Sequence, residues 1–305
     1  MPKTLARGGT NAVGRMLGLL GDEWNLLIVQ QALLGAHRYS HFATRLPISN
    51  AVLTNRLRTL VSEGLLTKDY RTTPRSRSLW PMLLAIWEWE QTWVTEHAQQ
   101  LPVMRHELCG ERFSPVLRCE NCRGAVGADD IDLAPGPSGA WERSAPSATT
   151  RRRHRTSESD ARQAGLFPDT MSVLGNRWAA ALLVAAFLGT TRFTDFQTQL
   201  QAPPSLLAQR LQTFCSIGVF ALDPEKCSVY LLTDKGRAFF AVLVAGLQWA
   251  QRWYLAPEGS AMVLTHRGCG ARFTGEWRCN SCAERLRGAD VLVEQASSAE
   301  GSGSP

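Results

Sequence analysis

The sequence predicts a mainly α-helical chain with short β wings, built as two winged helix-turn-helix domains, each followed by a small knuckle-like segment. Three observations carry that expectation. A capped amphipathic helix follows a shorter helix within residues 39–66. Most of the chain occurs twice in the same order. Six of the eight cysteines fall into two groups of identical spacing.

In chain order, residues 1–11 read as a loose tail, and helices are expected over 12–18 and 22–34. The stretch YSHFATRL (39–46) is a shorter helix. Ser49 then stands where its hydroxyl can accept from free amides of the next helical turn. Leu53, Leu57, Leu60 and Val61 share one face of that next helix, while Asn50, Thr54 and Arg58 step by four along an outward one. Gly64 ends it, because glycine takes the left-handed conformation without a Cβ clash. Helix, tight turn, helix is the layout whose second helix enters a DNA major groove, and also that of an ordinary helical hairpin. The basic and β-branched stretch LTKDYRTTPRSRSLW suits a short hairpin. A tryptophan-rich helix, PMLLAIWEWEQTWV, closes the unit, with Trp89 and Trp93 expected as core or helix-pairing anchors.

The second copy begins where VLGNRW (173–178) repeats LLGDEW (19–24). An offset of 154 residues pairs Trp24 with Trp178, Arg38 with Arg192, Arg56 with Arg210 and Gly64 with Gly218. Further on the offset is 160, pairing Trp89 with Trp249 and Cys109 with Cys269, so the first copy lacks six residues between Gly64 and Trp89. Two copies of this length make two domains. The expected boundaries are 12–127 for the first, with its cysteine cluster, and 166–290 for the second. Residues 128–165, rich in Pro, Ala and Ser and carrying the basic run Arg151–Arg155, read as a flexible linker, and 291–305 as a disordered tail.

The chain of 305 residues carries 33 Lys+Arg against 27 Asp+Glu, a mild basic excess that suits a polyanion without demanding one. No signal-peptide pattern and no apolar run of membrane-spanning length occurs, so the expected location is cytoplasmic, with no membrane partner. Catalysis is not expected. No nucleophile triad or phosphate-binding glycine loop is present, and Arg118 and Arg278 stand where a zinc deaminase would place proline before C-x-x-C.

The cysteine groups read H-x2-C-x9-C-x2-C in both copies: His106, Cys109, Cys119 and Cys122, then His266, Cys269, Cys279 and Cys282. Zn²⁺ favours four soft or borderline ligands in a tetrahedron, which two short ligand pairs on a hairpin-length spacer provide. Gly110 and Gly270 allow the tight turn after the first cysteine. The expectation is up to two structural zinc ions per chain, one in each domain, with the histidines the less secure ligands. Cys215 is expected in the core, and Cys227 in a hairpin loop.

Both copies resemble the HxlR-type winged-helix transcriptional regulators, relatives of the MarR-like fold. The first copy shows Trp24, Gly35-Ala36-His37-Arg38-Tyr39, Ile48-Ser49, Leu53, Arg56-Leu57 and Gly64-Leu65. The second shows Trp178, Gly189-Thr190-Thr191-Arg192-Phe193, Leu207, Arg210-Leu211 and Tyr230-Leu231-Leu232-Thr233-Asp234-Lys235-Gly236. That last segment is missing from the first copy, whose wing should be short or irregular. Ala202-Pro203 replaces Ile-Ser in the second. The resemblance implies a sequence-specific regulator of transcription that binds double-stranded DNA. Family members pair through terminal helices on two half-sites, and some relatives sense electrophiles or oxidants through cysteine.

The DNA-facing candidates are Arg38, Ser49, Asn50, Thr54, Asn55, Arg56, Arg58, Arg71, Arg75 and Arg77 in the first domain, and Arg192, Ser205, Gln209 and Arg210 in the second. The first domain should supply more phosphate contacts, since Asp223 and Glu225 offset Lys226 in the second wing. The two domains are expected to pair within one chain as a pseudo-dimer, the rival being a homodimer of chains. Two other readings stand beside this one: an interaction module that no longer binds DNA, and a thiol-based redox or electrophile sensor. A small-molecule inducer fits the family, but no residue set marks its site.

Overall fold

The computed structural model describes residues 1–98, 101–144, 168–226 and 228–294. The first repeat runs β1 (Lys3–Thr4), α1 (Ala12–Leu20), α2 (Glu23–Leu33), α3 (Tyr39–Arg45), α4 (Asn50–Ser62), α5 (Pro74–Arg77), α6 (Trp80–Trp93), α7 (Thr95–Ala98), β2 (Val103–His106), β3 (Pro115–Cys119), β4 (Ile131–Pro135) and α8 (Trp141–Ser144). The second runs α9 (Pro168–Leu174), α10 (Arg177–Phe187), α11 (Phe193–Leu200), α12 (Pro204–Ser216), β5 (Phe220–Leu222), β6 (Tyr230–Leu232), α13 (Asp234–Ala238), α14 (Phe240–Trp253), β7 (Tyr254–Leu255), β8 (Met262–His266), β9 (Gly275–Cys279) and β10 (Val291–Glu294). The sequence offsets map element onto element: α4 onto α12, α6 onto α14 and β3 onto β9 coincide residue for residue.

Side-chain caps set the helix starts. Asp22 accepts from the Asn25 amide at 3.1 Å and Asn176, its repeat counterpart, from the Trp178 amide at 2.8 Å. Ser49 accepts from the Val52 amide at 3.4 Å, and Gly64 takes φ +68°, so α4 begins and ends where the sequence predicts. Leu53, Leu57 and Leu60 are fully buried beneath α4, with Val61 half-buried beside them.

The six-residue difference falls where the wing lies. In the second repeat β5 and β6 form an antiparallel hairpin, with Phe220 opposite Leu232. In the first, one bridge between Leu66 and Thr72 is all that remains, and the chain turns at once into the short helix α5. Pro74 opens α5 inside a Thr73–Ser76 capping box, so this segment becomes helix where a hairpin was expected.

The two repeats share one core. Helices α6 and α14 are apolar over most of their circumference, as helices buried on several sides must be. Gly246 lets α14 lie close against α1 and α6: a Cβ there would stand 3.1 Å from Met16 Sδ and 3.4 Å from Met82 Sδ. A reciprocal pair of indoles ties the halves together. Trp89 Nε1 donates to the Lys235 carbonyl at 2.9 Å, and Trp249 Nε1 to the Arg75 carbonyl at 2.8 Å. Buried Glu90 accepts from both the amide and the hydroxyl of Thr170, at 2.9 and 2.6 Å.

The strands also cross between repeats. β3 pairs with β9, antiparallel, about Leu117 opposite Trp277. β2 pairs with β10, and β4 with β8. Residues 128–144 are therefore not linker: Ala128–Asp130 form a 3₁₀ turn, β4 is zipped to β8, and α8 packs near α1. The first repeat thus extends past its expected boundary at 127. Likewise 291–294, expected in the tail, form β10, because they repeat β4 and find the same kind of edge. Residues 145–165, including Arg151–Arg155, and 295–305 lie outside the described residues, as does Cys227.

Candidate nucleic-acid interface and metal centres

α4 and α12 are the second helices of the two helix-turn-helix motifs. On α4, Asn50, Thr54, Asn55 and Arg58 are exposed, and Ser49 caps the helix with its side chain at the surface. Tyr39 Oη donates to Asn50 Oδ1 at 3.1 Å and pins the start of α4 to α3. One acceptor lone pair of Asn50 is thereby occupied, whereas the Asn55 side chain makes no hydrogen bond among the described residues. Phe193 replaces Tyr39 in the second repeat, so no such clamp forms there. Ser205 and Gln209 on α12 are exposed, as are Arg38 and Arg192 at the helix N-caps of α3 and α11.

Not every arginine expected to face DNA does so. Arg75 is 7% exposed. Its guanidinium donates to the carbonyls of Glu63 and Met1 and lies 5.3 and 5.2 Å from the ring centroids of Trp253 and Tyr254. It is a core cation joining the repeats, since α5 turns it inward where a wing would have turned it out. Arg56 grips Asp22 with two bonds, Nε to Oδ1 at 3.0 Å and Nη2 to Oδ2 at 2.7 Å, and so fastens α4 to the cap of α2. Arg210 is half-buried at the equivalent place. Arg71 and Arg77 remain exposed; Arg71 pairs at 3.2 Å with Asp69, an exposed couple worth little in stability. Arg45 is exposed on the same repeat and was not among the candidates; Lys68, expected with Arg71 and Arg77 in the first wing, is exposed as well.

The eight ligand candidates form two clusters, but not the expected two. His106 and Cys109 meet Cys279 and Cys282, while Cys119 and Cys122 meet His266 and Cys269. Within each cluster the ligand atoms lie within 4.8 Å of one another, and either could hold a metal ion. The arrangement of four ligands inside each repeat is thus corrected: the pairing of β3 with β9 and β2 with β10 carries each C-x-x-C to the histidine of the other repeat. Both histidines present Nδ1. Cys109 and Cys282 Sγ stand 3.6 and 3.3 Å from His106 Nδ1, and Cys122 and Cys269 Sγ 3.4 and 3.3 Å from His266 Nδ1. Donation from the Ala271 amide, and then from the His266 ring, holds the Cys269 thiol down to about 6. Cys215 is half-buried on α12, where burial pushes its thiol up.

Comparison with known proteins agrees with the repeat. The family described as HxlR-like helix-turn-helix matches residues 19–98 and again 173–258. The curated relatives include uncharacterized HTH-type transcriptional regulators of Mycobacterium tuberculosis and Mycobacterium bovis, each 32% identical over 136 residues, covering 41% of this chain and 86% of the relative. Another, from Synechocystis, is 24% identical over 106 residues, covering 31% of this chain and 78% of the relative. The solved structure of PA1607, a candidate transcription factor, is 34% identical with a TM-score of 0.38, covering 42% of this chain and 92% of that one.

Proposed function

Since the chain belongs to the HxlR-like helix-turn-helix family, we propose that it is a sequence-specific transcriptional regulator in which both halves of a DNA-binding dimer lie on one polypeptide. The observation that carries this reading is the reciprocal contact of Trp89 with Lys235 and Trp249 with Arg75, which pairs the repeats as two subunits of a homodimer would pair. Among the described residues no helix is long and apolar enough to cross a membrane. Function at cytoplasmic DNA fits the family.

α4 and α12 then each enter a major groove, about one turn apart on the duplex. Ser49-Asn50-Thr54-Asn55 on one side and Ser205-Gln209 on the other differ, so the half-sites differ and the operator is not a palindrome. Arg38, Arg58, Arg71 and Arg77 give the first repeat the denser set of exposed phosphate contacts, and Arg192 serves the second. The two Cys₃His clusters are structural zinc sites in this reading. Selection of bound fragments from random duplexes, followed by light scattering of the complex, tests it. One chain on a non-palindromic site is expected; two chains on a perfect palindrome refute the intrachain arrangement, and no selected sequence refutes specific binding.

A further inference from the structure

Each of the four ligand pairs is built on the same turn. The residue directly after the last cysteine of the pair takes a left-handed conformation: Gly110 at φ +73°, Arg123 at +61°, Gly270 at +67° and Ala283 at +59°. Its amide returns to the carbonyl of the first ligand: Gly110 to His106 at 2.8 Å, Arg123 to Cys119 at 2.7 Å, Gly270 to His266 at 2.8 Å and Ala283 to Cys279 at 3.0 Å. In three of the turns the next amide reaches back to the sulfur, Gly124 to Cys122, Ala271 to Cys269 and Glu284 to Cys282. Arginine and alanine adopt this backbone only at a cost in strain, which persists where the surroundings fix it.

The distances match one ion. Zinc bonds of about 2.3 Å to sulfur and 2.0–2.1 Å to nitrogen imply tetrahedron edges of roughly 3.5–3.8 Å. The S–N edges here are 3.3–3.6 Å, and the S–S edges are 4.0 Å for Cys109–Cys279 and 3.9 Å for Cys119–Cys269. Those sulfurs are far beyond disulfide length. Three thiolates and one imidazole in a tetrahedron select zinc over hard cations, which want oxygen ligands.

Resting on the zinc reading above, we infer that both ions are shared: each is held half by one repeat and half by the other, so neither site exists until the repeats have paired. Each ion closes a chain loop of more than 140 residues, Cys122 to His266 in one case and His106 to Cys282 in the other. Zinc is therefore linked to the pairing of the halves, and not only to the folding of a local knuckle.

Two double variants decide the wiring, with zinc counted by elemental analysis in reduced protein purified without added metal. Wild type should carry two ions. Cys122→Ser with Cys269→Ser removes two ligands from one shared site and should leave one ion; Cys109→Ser with Cys122→Ser damages both sites and should leave none. Sites confined to single repeats predict the reverse, and that result overturns the inference. So does wild-type protein that is folded and free of zinc. If the variants do not fold, wild type loaded with ¹¹³Cd supplies the answer by scalar coupling to cysteine Hβ protons. One cadmium coupled to Cys109, Cys279 and Cys282 supports sharing; one coupled to Cys109, Cys119 and Cys122 overturns it. Neither readout involves DNA, so an absence of DNA binding in a chain with shared ions would refute the regulator and leave the sites standing.

Discussion

Replacing Arg75 with alanine should destabilise the protein without directly removing a DNA contact. Two hydrogen bonds from a charged donor, to the carbonyls of Glu63 and Met1, are each worth about 1.5–3 kcal/mol. The faces of Trp253 and Tyr254 add about 0.5–2 kcal/mol apiece. Desolvation of the buried cation offsets much of that sum, yet truncation also leaves two carbonyls without their donor and a cavity under α14. Each carbonyl left without its donor costs about 1–3 kcal/mol, so the expected loss for Arg75→Ala is about 2–5 kcal/mol. Arg75→Lys should recover part of it, since an ammonium lacks the planar fork that reaches both carbonyls. Urea unfolding followed by tryptophan fluorescence measures the loss, and titration of folded variant with operator DNA measures affinity. A stability change under about 0.5 kcal/mol together with weaker binding and a salt slope reduced by about 1 would mark Arg75 as a phosphate contact and refute its place in the core.

Neighbouring arginines on α4 should separate by role. Arg58→Ala is expected to keep stability and weaken DNA binding by about 1–3 kcal/mol, whereas Arg56→Ala should lower stability by about 1 kcal/mol once solvent screening of its partly exposed pair is allowed for; DNA titration beside urea unfolding of both variants checks this. Trp89→Phe and Trp249→Phe each remove one indole donor across the repeats and should each cost about 1–2 kcal/mol; if either costs nothing, that bond is not holding the halves. Stripping zinc with a chelator should lower the unfolding midpoint of both repeats in one transition, each ion contributing about 4 kcal/mol when free zinc stands a thousandfold above its Kd. Calorimetry showing one repeat melting early while the other is unmoved would contradict this. Asn55→Ala should relax base preference within the first half-site only, as read by binding selection.

The helices and their caps were legible because the signals are local. Ser49, the Leu53–Leu57–Leu60 stripe and Gly64 each act within a turn or two of the chain, and α4 formed where they pointed. The repeat was legible because it is a property of order alone. Arg75 was not, since its inward turn depends on α5 replacing a hairpin, and on Trp253 and Tyr254 from 178 and more residues away. The wiring of the metal clusters was hidden for a sharper reason. His106–Cys109 and His266–Cys269 have the same spacing, so either C-x-x-C completes either pair equally well on paper. The antiparallel pairing of strands between the repeats, β3 on β9 and β2 on β10, distinguishes them.

That crossing has a consequence for how the chain is made. His106 leaves the ribosome 176 residues before Cys282, its partner. At about 5–20 residues per second this is a delay of roughly 9–35 seconds. Throughout it the β2 edge that will carry β10, the last described strand, stays unpaired, and His106 and Cys109 lack the two cysteines that complete their cluster. Long-range strand pairing is slow to form and exposed to aggregation while it waits. Were the repeats on separate chains, the same pairing would be a search for a second molecule; on one chain it is a wait for the rest of the same message.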